Sequence, residues 1–241
     1  MSKYLNIHYW IRKFLTDKFF SKFFNQEFIS KAVFNSIFKS NHWNKGKNFN
    51  VNTQSYSGPG SVENTAQTNY LLSNLKKFFI QYDIKKILDA PCGDCAWIKN
   101  IFGNDLEYTG IDIVEDLIRE NKFKFKSYKN VNFYCEDLNR FNNYEKYDFV
   151  LLRDFFIHLP LKNILEILKK LENSNCKFFA FNNYESIENN KDISFGQHRK
   201  INVFKEPFNF NKPYLKIAEL TEENKSMKIK DNFIYIYKNK T

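Results

Sequence analysis

Apolar positions follow two rhythms along this chain. In the first 45 residues Ile7, Ile11 and Phe14 recur at helical spacing, as do Phe20, Phe24 and Phe28, with lysines between them. Residues three and four apart share one face of a helix, so one or two amphipathic helices are predicted here. Residues 44–60, NKGKNFNVNTQSYSGPG, carry no period and end in a Pro/Gly turn, the pattern of a linker or lid. Alternation begins after that. Leu71, Leu72, Leu75, Phe78 and Phe79 give one apolar face to a helix starting near Ser61, followed by the strand KKILDA. Strand EYTGID, a helix from about Val114, strands VNFYCE and YDFVLL, helix LKNILEILKKL and strand CKFFAFN come next. Short apolar strands separated by helical segments predict a parallel sheet in a doubly wound α/β fold. Residues 185–213 are irregular, and YLKIAEL and NFIYIYK then read as a hairpin-like pair with a turn at Glu222–Lys225.

Composition refines this picture more than it redirects it. The chain has 241 residues, 43% hydrophobic and 18% aromatic, enough for a sizeable core. The rhythms divide it into an arm and linker over 1–56 and a domain over 57–241. A net charge of +10 suits a nucleic-acid or membrane-surface partner. The same charge follows from a lysine-, asparagine- and phenylalanine-rich, glycine-poor composition of the kind that AT-rich coding produces, which makes it a solvated surface. No apolar run reaches the roughly 18 residues that span a membrane, and the N-terminus lacks a signal-peptide pattern. A cytoplasmic location is expected. Cys92 and Cys95 form a C-x-x-C without the second pair that a four-thiolate zinc site needs. A redox dithiol between strand and helix is the alternative for that pair. No His/carboxylate cluster has metal-ligand spacing, so no metal is expected.

The chemistry concentrates at strand ends. Ile87-Leu88-Asp89-Ala90-Pro91-Cys92-Gly93 is an apolar strand that ends in an acid and turns around Gly93, before a helix expected near Trp97. Ligands of open α/β sheets bind outside the carboxyl ends of the strands, beside this first turn. Asp112 follows Asp89 by 23 residues, at the end of the second strand, where a carboxylate can accept both ribose hydroxyls of a nucleoside cofactor. Asp137 follows 25 residues later, at the end of the third, placed to accept an adenine amine. Pro91, Ile113 and Leu138 complete the expected cofactor contacts. Trp97 either packs on the cofactor, lines the acceptor pocket or is plain core. A nicotinamide enzyme would place Gly-x-G-x-x-Gly after the first strand, and Gly93 has no glycine partner at those spacings.

Three acids ending three successive strands resemble the class I S-adenosylmethionine-dependent methyltransferases, over roughly residues 60–240. The resemblance implies a Rossmann-like, seven-stranded, mostly parallel sheet with an antiparallel last strand, helices on both faces, and S-adenosyl-L-methionine as cofactor with S-adenosyl-L-homocysteine as product. Pro91 and Cys95 stand where that family usually has the first and third glycines of its loop. A narrower resemblance rests on Ser57-Gly58-Pro59-Gly60-Ser61, DAPCGDCAW, Leu152-Arg153-Asp154 with His158-Leu159-Pro160, Gly196 to Arg199, and Pro207-Phe208. Together these look like a bacterial group of small-molecule methyltransferases associated with capsule and other surface-polysaccharide synthesis.

Roles follow from these positions. His158, just past the fourth strand, is the candidate general base for a hydroxyl acceptor. Asp154 shares its face if 154–158 form a helical turn, and then fixes the imidazole tautomer; the alternative for His158 is packing or capping ahead of the next helix. Arg153 either holds the methionine carboxylate or an anionic substrate, or pairs with Asp154 or Asp94. Arg199, in the irregular insert, and Asn182 and Asn183, at the end of the fifth strand, are the candidate substrate contacts. Gly58 to Ser61 either close over the donor's methionine end or form a turn with Ser61 as N-cap. The expected partner is a small polar or anionic acceptor. Spread-out basic residues and the lack of an Asn/Asp-Pro-Pro-aromatic motif argue against RNA or DNA as substrate. The arm docks on the domain or on a second subunit, with a membrane surface as the alternative. A methyltransferase-like scaffold without catalysis is the competing reading, motivated by the altered glycine loop.

Overall fold

The structure, a computed structural model, describes residues 2–17, 20–44, 55–103, 105–219 and 232–239. The expected turn at Glu222–Lys225 and most of the 44–60 linker lie outside the described residues. Helices α1 (Ser2–Thr16) and α2 (Gln26–Lys39) form the arm, and α3 (Ala66–Gln81) leads into strand β1 (Lys86–Asp89). Strand β2 (Glu107–Asp112), α4 (Glu115–Lys124), β3 (Val131–Cys135), β4 (Phe149–Leu152), α5 (Leu161–Glu172) and β5 (Phe178–Asn183) follow, then β6 (Leu215–Ala218) and β7 (Phe233–Lys238). The seven strands lie in the order β3-β2-β1-β4-β5-β7-β6. Strands β1 to β5 pair in parallel, with Asp89 opposite Gly110 and Asp112 opposite Cys135. Strand β7 runs antiparallel to both β5 and β6. Side chains alternate between the two faces. The central strands β4 and β5 are buried on both, as parallel strands require, while Asn132 and Tyr134 of the edge strand β3 are exposed. Leu71, Leu75 and Phe78 of α3 pack on Ile87, Phe149 and Leu151 on one face. Ile164, Ile167 and Leu171 of α5 pack over Val150, Leu152 and Phe179 on the other.

The arm belongs to that second face. Ile29, Val33 and Ile37 of α2 are buried in the same cluster as α5. Gly196 is the close-approach point: at φ 74°, a Cβ there would lie 2.6 Å from both Val33 and Ile37. Asn25 caps α2 by accepting the Phe28 N–H at 2.7 Å. The expected Phe20–Phe24–Phe28 face is therefore corrected: Phe20–Phe23 is a 3₁₀ turn, α2 begins after it, and its buried stripe is Ile29-Val33-Ile37. Helix α1 holds to α2 through polar contacts, with Arg12 donating to the Ser36 and Ser40 hydroxyls at 3.2 and 3.1 Å.

Two expected helix starts also move. Thr65 and Thr68 form a reciprocal cap, so α3 starts at Ala66, and Ser61 instead ends a 3₁₀ turn. No α-helix forms at Trp97. Gly93 and Cys95 both adopt φ 54° and Gly103 φ 86°, leaving less than two helical turns between them. That stretch makes tight turns and a short 3₁₀ segment, Lys99–Ile101. Among the described residues no helix is long and apolar enough to cross a membrane.

Candidate active site

A cavity of about 1090 Å³, counted to its open mouth, lies at the carboxyl ends of β1 to β4. Asp89, Pro91, Gly93, Trp97, Asp112, Ile113, Asp137, Leu138, Arg153, Asp154 and His158 all line it. These residues come from four strand ends, where a parallel sheet exposes the loops that follow each strand.

The three acids differ in what they have left to offer. Asp89 is buried and accepts the Tyr108 hydroxyl at 2.7 Å. Burial pushes its carboxyl up to about 7, against the pull of that hydrogen bond and of Arg153. Asp112 accepts the Val114 N–H at 3.0 Å on one oxygen and the Gly93 N–H at 3.2 Å on the other. Burial pushes it up to about 6. A carboxylate has about four acceptor sites, so each oxygen of Asp112 keeps capacity for a hydroxyl. Asp137 accepts the backbone and side-chain amides of Asn139 and, at 3.2 Å, the hydroxyl of Ser30 in α2.

The loop after β1 has a compact internal logic. Asp94 accepts the Ser55 hydroxyl and the Tyr56 N–H, both at 2.8 Å, which folds the end of the linker over the loop. Gly93 is then required, because any Cβ would collide with the Ser57 hydroxyl. Cys95, which replaces a glycine of the family pattern, turns its thiol into the core beside Tyr108 rather than into the cavity.

Beyond β4 the structure corrects several expected roles. Asp154 sits at φ 53° and Phe156–His158 is a 3₁₀ turn, so the two do not share a helical face. The His158 Nδ1 faces the Gln197 carbonyl at 2.9 Å. A carbonyl only accepts, so Nδ1 carries the proton and Nε2 keeps its lone pair. Gln197, not Asp154, thus sets the tautomer. Burial pulls His158 down to about 4, and Trp43 covers its ring with centroids 4.3 Å apart. Arg153 is neither a free carboxylate clamp nor a partner of Asp94. Its Nε donates to Glu219 at 2.6 Å, and its other nitrogens reach Gly60 O, Ser61 Oγ and Asp154.

The three expected substrate contacts lie outside the cavity. Arg199 donates to the carbonyls of Phe156, Leu159 and Lys191, and so braces the turn that carries His158. Asn182 accepts the Asp154 N–H and donates to Glu219, and Asn183 accepts the Val203 N–H. What sequence reasoning missed is the arm: Ser30, Phe34, Ile37, Phe38 and Trp43 line the cavity too. The i, i+4, i+8 stripe of Ile29, Val33 and Ile37 behind the Asn25 cap was the available signal. Among the described residues no group of three or more His, Cys, Asp or Glu is placed to hold a metal ion.

Comparison with known proteins agrees with this geometry. Residues 88–175 match the family model of a methyltransferase domain. The chain is 30% identical over 136 residues to malonyl-[acyl-carrier protein] O-methyltransferase of Bacillus anthracis, covering 49% of each protein. It therefore spans about half the length of that curated relative. Magnesium protoporphyrin IX methyltransferase from Synechocystis PCC 6803, solved with bound SAH, superposes with a TM-score of 0.59 at 14% identity, over 90% of this chain and 100% of that one. An S-adenosylmethionine-dependent methyltransferase from Clostridium acetobutylicum gives 0.54 at 14% identity, over 74% and 94%. The fold is that of the class I S-adenosylmethionine-dependent methyltransferases.

Proposed function

We propose that the protein is an S-adenosylmethionine-dependent methyltransferase that O-methylates a small polar acceptor, a sugar, nucleotide-linked sugar or phosphoramidate group, in capsule or other surface-polysaccharide synthesis. The observation that carries the cofactor half is the row of Asp89, Asp112 and Asp137 around one cavity at successive strand ends. Asp112, with acceptor capacity on both oxygens, holds the ribose hydroxyls. Asp137 and Leu138 hold the adenine end, and Gly93 with Trp97 borders the methionine end. When bound, S-adenosylmethionine supplies a methyl group activated by its sulfonium. The protein aligns an acceptor oxygen with that methyl and excludes water, using the arm as one wall. The acceptor half rests on the motif resemblance around Gly58–Ser61, Arg153–Pro160 and Gly196–Arg199. A carrier-bound carboxylate is the second reading, favoured by the malonyl-carrier relative.

Calorimetry with S-adenosylhomocysteine tests the cofactor site. Asp112→Ala should weaken binding by about 1.5–3 kcal/mol, the worth of hydrogen bonds to a charged group. Wild-type affinity should rise between pH 5 and 7, because the ionised carboxylate is the better acceptor and Asp112 loses its proton near 6. Equal affinity in wild type and variant would exclude this placement.

A further inference from the structure

The arm buries one side of itself and exposes an unusual other side. Leu15 of α1 is buried and Arg12 reaches back to α2, which fixes the orientation of the helix. On the outer side Ile7, Trp10 and Ile11 are 55%, 57% and 37% exposed, and Phe14 continues the stripe one turn on. This i, i+3, i+4, i+7 series is the stripe that a globular helix ordinarily turns inward. Phe14 meets Phe24 with ring centroids 6.2 Å apart, and Phe24 stacks on the half-exposed Phe28 at 5.2 Å. The apolar surface is thus continuous from α1 onto α2, the kind of patch that marks an interaction surface.

We propose that this face seats on an anionic lipid bilayer. The charge pattern selects that partner. Residues 1–39 hold seven Lys or Arg against two Asp or Glu, and one of those acids, Glu27, is met by Arg140 of the domain. Lys13 lies over the Trp10 ring at 4.9 Å, and Lys22 and Lys31 are exposed. Aromatic side chains reach the headgroup boundary while flanking lysines meet lipid phosphates, the design of an interfacial helix. Face-to-face pairing with a second copy would instead bring two strongly basic arms together. The seat lies one helix from the cavity, since α2 also carries Ser30, Phe34 and Phe38 into it. This inference does not depend on the methyl-transfer reading.

Cosedimentation of the full chain with phosphatidylcholine vesicles, with and without phosphatidylglycerol, tests it. Binding should require phosphatidylglycerol and weaken in high salt. Lys13→Glu should reduce it about fivefold per unit of charge removed. Trp10→Ser combined with Ile11→Ser should reduce it on the order of tenfold, from the lost apolar area. Neither variant should move the melting temperature or S-adenosylhomocysteine affinity, since both sites are exposed and outside the cavity. Absence of binding to anionic vesicles, or binding that both variants retain in full, overturns the proposal. So does light scattering that shows a dimer dissolved by the same variants without any vesicle binding, which would assign the face to a second copy.

Discussion

Glu219→Ala should destabilise the protein by about 3–5 kcal/mol, the cost of removing one partner from a buried ion pair. The Arg153 and Glu219 side chains are 4% and 0% exposed, with Nε 2.6 Å from the carboxylate. Burial works against the charge of Arg153, but Glu219 and then Asp154 outweigh it and push the Arg153 pKa up. Without Glu219 the guanidinium stays charged and loses its nearest counter-charge. The amides of Asn182 and Asn232, which donate to the other Glu219 oxygen at 3.1 and 2.8 Å, lose an acceptor as well. Glu219→Gln keeps one carbonyl acceptor and should cost less. Urea unfolding followed by tryptophan fluorescence gives both values, and a loss below about 1 kcal/mol would mean that water reaches the pair. Cofactor affinity should fall in parallel. Arg153 lies over the Trp97 ring at 4.9 Å and holds Gly60 and Ser61, so the pair ties β6 to the cavity wall.

The Arg153–Glu219 pair also shows where sequence reading reaches its limit. Strand-end acids are legible because local sequence places them: a short strand ends, and an acid at or just past its carboxyl end lies beside the crevice. Asp89, Asp112 and Asp137 needed nothing distant to be found. The roles of Arg153, Asn182 and Arg199 depend on partners 66, 37 and 43 residues away, which spacing does not encode. Arg199 sits in an irregular insert, where an arginine reads as a binding residue. Its donors turned instead to the backbone carbonyls of Phe156, Leu159 and Lys191. The arm docks on the domain as expected, but through a different face. Its phenylalanines drew attention to a face that the fold leaves outside, while the docking stripe is made of two isoleucines and a valine. The helix expected at Trp97 failed because left-handed conformations at Gly93 and Cys95 spent the residues that it needed.

His158→Ala should lower turnover by about 10²–10⁴-fold, the usual contribution of a general base, while leaving cofactor affinity nearly intact. Its Nδ1–H is committed to the Gln197 carbonyl, and the ring lines the cavity under Trp43. In the proposed reaction Nε2 would take the acceptor's proton as the new bond forms. Asp154→Asn should cost much less, because Gln197 sets the tautomer. The pH profile follows from the burial that pulls His158 down to about 4. Only neutral imidazole accepts a proton, so activity should already be level with respect to this group between pH 5.5 and 8, and fall toward pH 4. A rate that instead climbs through 6.5 would mean that the ring is solvated in the working enzyme. The same low value makes His158 a modest base, and its effect therefore depends on the acceptor. A sugar hydroxyl must lose a proton in the reaction, whereas a carboxylate or an anionic phosphoramidate oxygen has none to lose. Near-normal turnover of His158→Ala on its acceptor would remove the base from the mechanism and favour the anionic substrate.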